Sequence, residues 1–295
     1  MRIVLLGTGT PVPSLKRASS SYLVEIGNDV ILLDHGPGAY HRLLESGVPI
    51  TRVSHLAFTH LHYDHCLDYA RLLLTRWDQG AGQIPEMKVY GPEHTARMTE
   101  LLISPDGVFG PDIEARLHHG GSLQTYASRG GVPPRQAPAP EVTELTSGGH
   151  IETERWRLTA ISVPHVQPYL VSFGFRLDTA EGSLFYSGDA GPSKALVRAA
   201  TGVDVLIHMC HYISGTVANA DWMRGSTGHM EIAQIAHEAR VRNLVVTHIS
   251  EQMDVPGVRE RLLCEIGAVF RGNIFWGEDL MEIPIGDPVP RPHNG

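Results

Sequence analysis

Thr59-His60-Leu61-His62-Tyr63-Asp64-His65 follows directly on an apolar run at 53–58 and gathers three imidazoles and a carboxylate. Read as an extended segment, the stretch alternates faces, so His60, His62 and Asp64 point one way and His65 steps across. Two groups of ligands emerge, close enough for two adjacent cations and too crowded for one. Imidazole with carboxylate suits zinc, and manganese or iron less often.

Working outward, the neighbouring runs read as strands that end at special residues. The runs at 2–6 and 30–33 stop at Gly7 and Asp34, and Gly27-Asn28-Asp29 joins the runs 21–26 and 30–33 as a hairpin turn. Gly7-Thr8-Gly9-Thr10-Pro11 lacks the third glycine of a dinucleotide fingerprint, so it predicts a turn bordering the site and no nucleotide. Residues 40–47 form a short helix closed by glycine, and 67–77 has helical spacing. From 104 to 140, Gly120-Gly121, Gly130-Gly131 and Pro133-Pro134 break any period. This predicts a loop-rich insertion, either a lid or dimer arm over the site or a surface excursion.

The second half repeats one arrangement. Apolar runs at 158–163, 183–186, 203–207 and 244–246 are followed by His165, Asp189, His208 with His211, and His248. Sites in α/β proteins gather at the carboxyl ends of strands. Several strand ends that deliver metal-type ligands, beside the histidine cluster, predict a binuclear centre. Strands followed by a helix in each half suit a pair of sheets packed between helices.

Composition narrows the class. The 295 residues are 42% hydrophobic and 19% charged, as expected of one large globular domain spanning 1–295. No run of about 18 apolar residues is present, so no membrane partner is expected. Cys66, Cys210 and Cys264 have no metal-type spacing, which predicts a cytoplasmic location without disulfides. A formal charge of −8 argues against a broad phosphate-binding surface.

His60-x-His62-x-Asp64-His65, Leu6-Gly7-Thr8-Gly9-Thr10-Pro11, Leu32-Leu33-Asp34 and Gly228-His229 together resemble the metallo-β-lactamase fold hydrolases, in the ribonuclease Z-like branch. The resemblance covers roughly positions 1–100 and 150–285. It implies an α/β, four-layer αββα sandwich with the site at strand ends between the two sheets. It also implies two divalent metal ions, most often Zn2+ with Mn2+ or Fe2+ as alternatives. His60, His62 and His165 would hold one, Asp64, His65 and His248 the other, and Asp189 would bridge them. A hydroxide shared between the ions would attack, Asp64 would orient it and take its proton, and Asp34 would fix a ligand imidazole from behind. His229 would protonate the leaving group.

Two departures from the family pattern bear on the substrate. Where that family carries a glutamate to support the acid, this chain has His208-Met209-Cys210-His211, and Met209 accepts no hydrogen bond as a carboxylate does. His211 is the candidate stand-in. Between His165 and Asp189 lie too few residues for a transfer-RNA-binding arm, and the insertion offers Arg116, Arg129 and Arg135 as permanent cations. Nucleic acid is therefore a disfavoured partner. The expected activity is hydrolysis of a small phosphodiester, sulfate ester, or carboxylic ester or lactone. His211, Tyr212 and Tyr169 are substrate contacts in this reading, and Tyr63 and Trp222 are further aromatic neighbours. The alternatives are an RNA 3′-end endonuclease, a mononuclear iron dioxygenase and a non-catalytic metal-binding module. Homodimerisation is compatible with the resemblance.

Overall fold

The computed structural model describes residues 1–285. Its architecture follows from strands that are apolar at successive positions. In β1 (Arg2–Gly7), Ile3 and Leu5 enter one buried cluster while Val4 and Leu6 enter another. A strand buried on both faces must lie between two layers. The first sheet continues with β2 (Ser21–Ile26), β3 (Asp29–Leu33), β4 (His55–Ala57), β5 (Lys88–Gly91) and β6 (Glu141–Glu144). The second contains β7 (His150–Glu152), β8 (Trp156–Ser162), β9 (Phe173–Thr179), β10 (Gly182–Tyr186), β11 (Val205–Met209), β12 (Asn243–Thr247) and β13 (Asn273–Trp276). The short β14 (Glu282–Ile283) closes the free edge of β1.

The sheets run in the orders β14-β1-β2-β3-β4-β5-β6 and β13-β12-β11-β10-β9-β8-β7. Both are mixed: β3 to β6 and β10 to β13 are parallel, whereas β1 to β3 and β7 to β10 are antiparallel. Tyr22, Ile31, Leu158, Phe175, Tyr186 and Val245 are among the side chains that fill the space between the sheets. The outer face of the first sheet is covered by helices Ala39–Glu45 and Tyr69–Gly80, through Leu43, Tyr69, Leu72 and Leu73. Helices Lys194–Ala200, His229–Ala239 and Val258–Val269 cover the second through Leu196, Ile232, Ala236, Leu262 and Ile266. This is the αββα sandwich expected from the sequence. No described helix is long and apolar enough to cross a membrane.

The insertion departs from its loop-rich expectation. Helices Gly110–His118 and Gly120–Ser128 occupy much of it, with Pro111 in the first turn of one and the Gly120-Gly121 pair opening the other. Those breakers sit at helix starts, where a missing or unpaired N–H costs little. The segment docks on helix Tyr69–Gly80. Asp78 accepts from Arg116 at 3.0 Å, Arg129 at 2.6 Å and Arg135 at 2.8 Å. The Arg135 guanidinium also lies 4.0 Å over the Trp77 ring.

Candidate metal centre

The ligand-type residues converge where the parallel strands end. Asp34 follows β3, the histidine stretch follows β4, Asp189 follows β10, His211 follows β11 and His248 follows β12. His165 arrives from the loop after β8. The histidine stretch is not extended throughout. His62 is the extended residue before a short helix, Tyr63–Cys66, so Asp64 and His65 are neighbours on a helical turn. That turn corrects the strand-alternation reading: Asp64 leaves the side of His60 and His62 and joins His65.

Two groups result. His60, His62, His165 and Asp189 form one, and Asp64, His65, Asp189 and His248 the other, with the ligand atoms of each within 4.8 Å of one another. Asp189 belongs to both. His62 Nδ1 lies 2.9 Å from His60 Nε2 and 3.3 Å from His165 Nε2. In the second group, Nε2 of His65 is 3.5 Å from Asp64 Oδ2 and 3.4 Å from Asp189 Oδ1. Nε2 of His248 is 3.4 Å from Asp64 Oδ2 and 3.3 Å from Asp189 Oδ2.

Whether these donors fit a metal can be judged from what they lack. Asp64 Oδ2, Asp189 Oδ1 and the Nε2 atoms of His65 and His248 are buried without a hydrogen-bond partner. Such orphaned groups are costly unless something occupies the space between them. Burial resists ionisation of Asp189, but the imidazoles of His248 and His65 outweigh it and hold the carboxyl well below the ordinary range. Burial lowers His60 well below the usual imidazole value, leaving it neutral with a free lone pair. A neutral His60 beside an ionised Asp189, with further imidazoles and Asp64 around them, is a donor set for divalent cations.

The residues behind the ligands fix their orientation. Asp34 is fully buried and takes four hydrogen bonds: from Thr59 N at 2.7 Å, Thr59 Oγ1 at 2.7 Å, Tyr186 OH at 2.8 Å and His65 Nδ1 at 2.8 Å. Thr59 Oγ1 also lies 3.0 Å from His60 Nδ1. One carboxylate thereby sets a ligand ring in each group, directly for His65 and through Thr59 for His60. Nδ1 of His165 meets the Gly225 carbonyl at 2.8 Å, and a side chain on Gly225 would overlap the His165 backbone. Thr59, Tyr186 and Gly225 carry no metal-type chemistry, so nothing in their residue types singles them out for these contacts.

A cavity of about 880 Å3 opens over the centre. His62, His165, Asp189 and His248 form part of its lining, with Met209 and His211 beside them and Gln167, Tyr169, Trp222, Arg224 and Ser226 around the rim. His211 faces His248, Nδ1 to Nδ1 at 3.2 Å, and its ring is 5.8 Å from that of Trp222. Burial and the neighbouring His248 push the His211 pKa down to about 4.

Other expected site residues fall elsewhere. His229 is buried at the start of its helix and does not line the cavity. Its Nδ1 accepts from Ser214 N at 3.0 Å, and its Nε2 meets Glu265 Oε2 at 2.6 Å. Both ring nitrogens are therefore engaged by protein, and their position outside the cavity lining counts against the leaving-group acid role expected of this residue. Tyr212 is buried and pairs by its backbone with Gly228, away from the cavity lining. Tyr63 is exposed and donates to the Pro11 carbonyl at 3.1 Å beside a neighbouring cleft. Met209 Sδ accepts from Ala190 N at 2.9 Å.

Against known proteins, a family model described as Beta-lactamase superfamily domain matches residues 30–249. A ribonuclease Z of Mycobacterium avium (strain 104) is 30% identical over 294 residues, spanning 98% of this chain and 99% of the relative. The crystal structure of human tRNase Z, short form, matches with a TM-score of 0.68 at 21% identity, over 97% of this chain and 100% of that one. The metallo-β-lactamase fold protein YhfI from Bacillus subtilis matches with a TM-score of 0.73 at 16% identity, over 96% and 99%.

Proposed function

The chain belongs to the β-lactamase superfamily, in its ribonuclease Z-like branch, and is a metal-dependent hydrolase; from that premise we propose that it cleaves phosphodiesters with two metal ions, most often zinc. The observation that carries this reading is the pair of ligand groups sharing Asp189 beneath an open cavity. A mononuclear iron centre would leave Asp64, His65 and His248 unexplained. When bound, two divalent cations supply Lewis acidity and lower the pKa of water so that it attacks at neutral pH.

The chain's own residues divide the remaining work. His60, His62 and His165 would hold one ion, Asp64, His65 and His248 the other, and Asp189 both. Asp34 keeps His65 presenting Nε2 by accepting from its Nδ1, and the Gly225 carbonyl does the same for His165. Asp64 is the carboxylate we assign to take the proton of the attacking water. Tyr169 and Trp222 offer flat surfaces at the rim against which a planar group can stack.

Between substrates, the full-length likeness to proteins named ribonuclease Z supports RNA, with cleavage near a 3′ end, and weighs against the expectation that nucleic acid is a disfavoured partner. A small ester substrate is the second reading, and a specific observation favours it. All three insertion cations are tied up in ion pairs with Asp78, Arg116 also with Asp112, so that segment presents no ready phosphate-binding arm. Free Cys66, Cys210 and Cys264 support a cytoplasmic setting, and a homodimer is compatible with either reading.

Zinc-loaded protein should be given labelled precursor transfer RNA and, separately, bis(p-nitrophenyl) phosphate. Accurate 3′ cleavage at low enzyme concentration establishes the RNA reading, and turnover of the small diester alone establishes the second. Turnover of an aryl sulfate or a lactone without any phosphodiester would overturn the phosphodiesterase proposal.

A further inference from the structure

The cavity is lined by one imidazole that is in neither ligand group. That is His211. Its backbone is fixed on both sides: Cys210 N donates to Thr247 O at 2.7 Å, and His211 N donates to Thr227 O at 2.8 Å. Its Nδ1 points at His248 Nδ1, 3.2 Å away, and no protein atom among the described residues engages its Nε2. The side chain lines the cavity beside Asp189 and His248.

Two imidazole nitrogens at hydrogen-bond distance hold one proton between them. Which ring carries it is decided by His248. That residue turns its other nitrogen, buried and without a hydrogen-bond partner, toward Asp64 and Asp189. An imidazole that gives a lone pair to a metal at Nε2 keeps its proton at Nδ1. His248 Nδ1–H then donates to His211 Nδ1, and the proton of His211 must sit on Nε2.

We propose that His211 is a fixed hydrogen-bond donor, presenting Nε2–H to an anionic oxygen of the substrate. Its tautomer is set by the metal ligand His248. No proton leaves the residue in this role; it binds the oxygen and orients the scissile group. The proposal rests on the metal-binding reading above, and the experiment separates the two.

Zinc content is measured first, by elemental analysis of the purified protein. Fewer than two ions per chain in the parent would overturn the metal reading itself. In zinc-loaded protein labelled with 15N-histidine, His211 should show a bare Nδ1 and a protonated Nε2. Calorimetry with inorganic phosphate should show binding about 10- to 100-fold weaker for His211→Phe, the expected loss for a hydrogen bond to a charged group. His211→Gln, which keeps a donor, should recover part of it. A protonated Nδ1 on His211 with both zinc ions bound would overturn the inference alone. So would phosphate binding of parental strength in His211→Phe. Loss of one zinc from His211→Phe would assign the residue to holding His248 and would equally overturn the donor role.

Discussion

At the scale of single residues, Asp34 has the widest reach of the side chains behind the ligands. It sits at φ 58° just after β3, a left-handed conformation that aspartate tolerates better than most residues, and the turn aims its carboxylate at both ligand groups. Asp34→Ala should weaken metal binding at the His65 group by roughly 10- to 100-fold, the usual effect of losing such support. Competition against a chromophoric chelator measures this, and unchanged affinity would remove Asp34 from the centre. Asp189 invites a sharper comparison, because it belongs to both groups. His248→Ala should lose mainly one ion and Asp189→Ala both, as read by elemental analysis. His229 gives the opposite expectation. With both nitrogens held by Ser214 and Glu265, His229→Ala should lower thermal stability and affect good and poor leaving groups alike. A selective loss on poor leaving groups would restore it as the acid.

At the scale of elements, the insertion is tied to helix Tyr69–Gly80 through one carboxylate. Asp78 is largely buried and pairs with three guanidiniums, and those cations hold its carboxyl below the usual range against the opposing effect of burial. Asp78→Ala leaves Arg135, almost wholly buried, without its ion pair. The cost should be about 1–3 kcal/mol, discounted because Arg116 and Arg129 are partly solvated. Faster proteolytic nicking between 104 and 140, with unchanged kcat/KM on a small diester, is the expected result. A large loss of activity would show that the segment reaches the substrate, as a lid would. The short helix Tyr63–Cys66 matters in a different way: its turn carries Asp64 from the side of His60 and His62 to that of His65, where a strand would have kept it with the first two.

Across the whole molecule, burial of uncharged histidine links stability to pH. His55, at the start of β4, packs against Trp156 and Tyr90, and burial pushes its pKa down to about 4. An unfolded histidine titrates near 6.5, so below that value the unfolded chain binds the extra proton first. The contribution of His55 is therefore complete above about pH 6.5 and is lost as the pH falls toward 4. Fully buried His208, also lowered to about 4, acts in the same direction. Tm should fall between pH 7 and pH 5, and His55→Phe, which keeps a ring against Trp156, should lose less of it over that interval. Equal losses in parent and variant would exclude His55 as a source.

Local chemistry written in the chain was enough to indicate much of the molecule. Apolar runs ending at ligand-type residues indicated strands with their functional ends gathered at one site, and the resemblance carried by the histidine stretch supplied the four-layer sandwich. The helices of the insertion were obscured because glycine and proline at helix starts look the same in sequence as glycine and proline in loops. What the sequence left open depends on direction in space. Gly228-His229 matched a family pattern, yet only packing against helix Val258–Val269 shows His229 turned to Glu265 and away from the cavity. His211 looked like a substitute partner for that residue, and only the meeting of the ends of β11 and β12 sets its ring against His248. Spacing along a chain fixes which residues are available at a strand end. Which way each side chain faces, and which proton it carries, is decided by neighbours tens or hundreds of positions away.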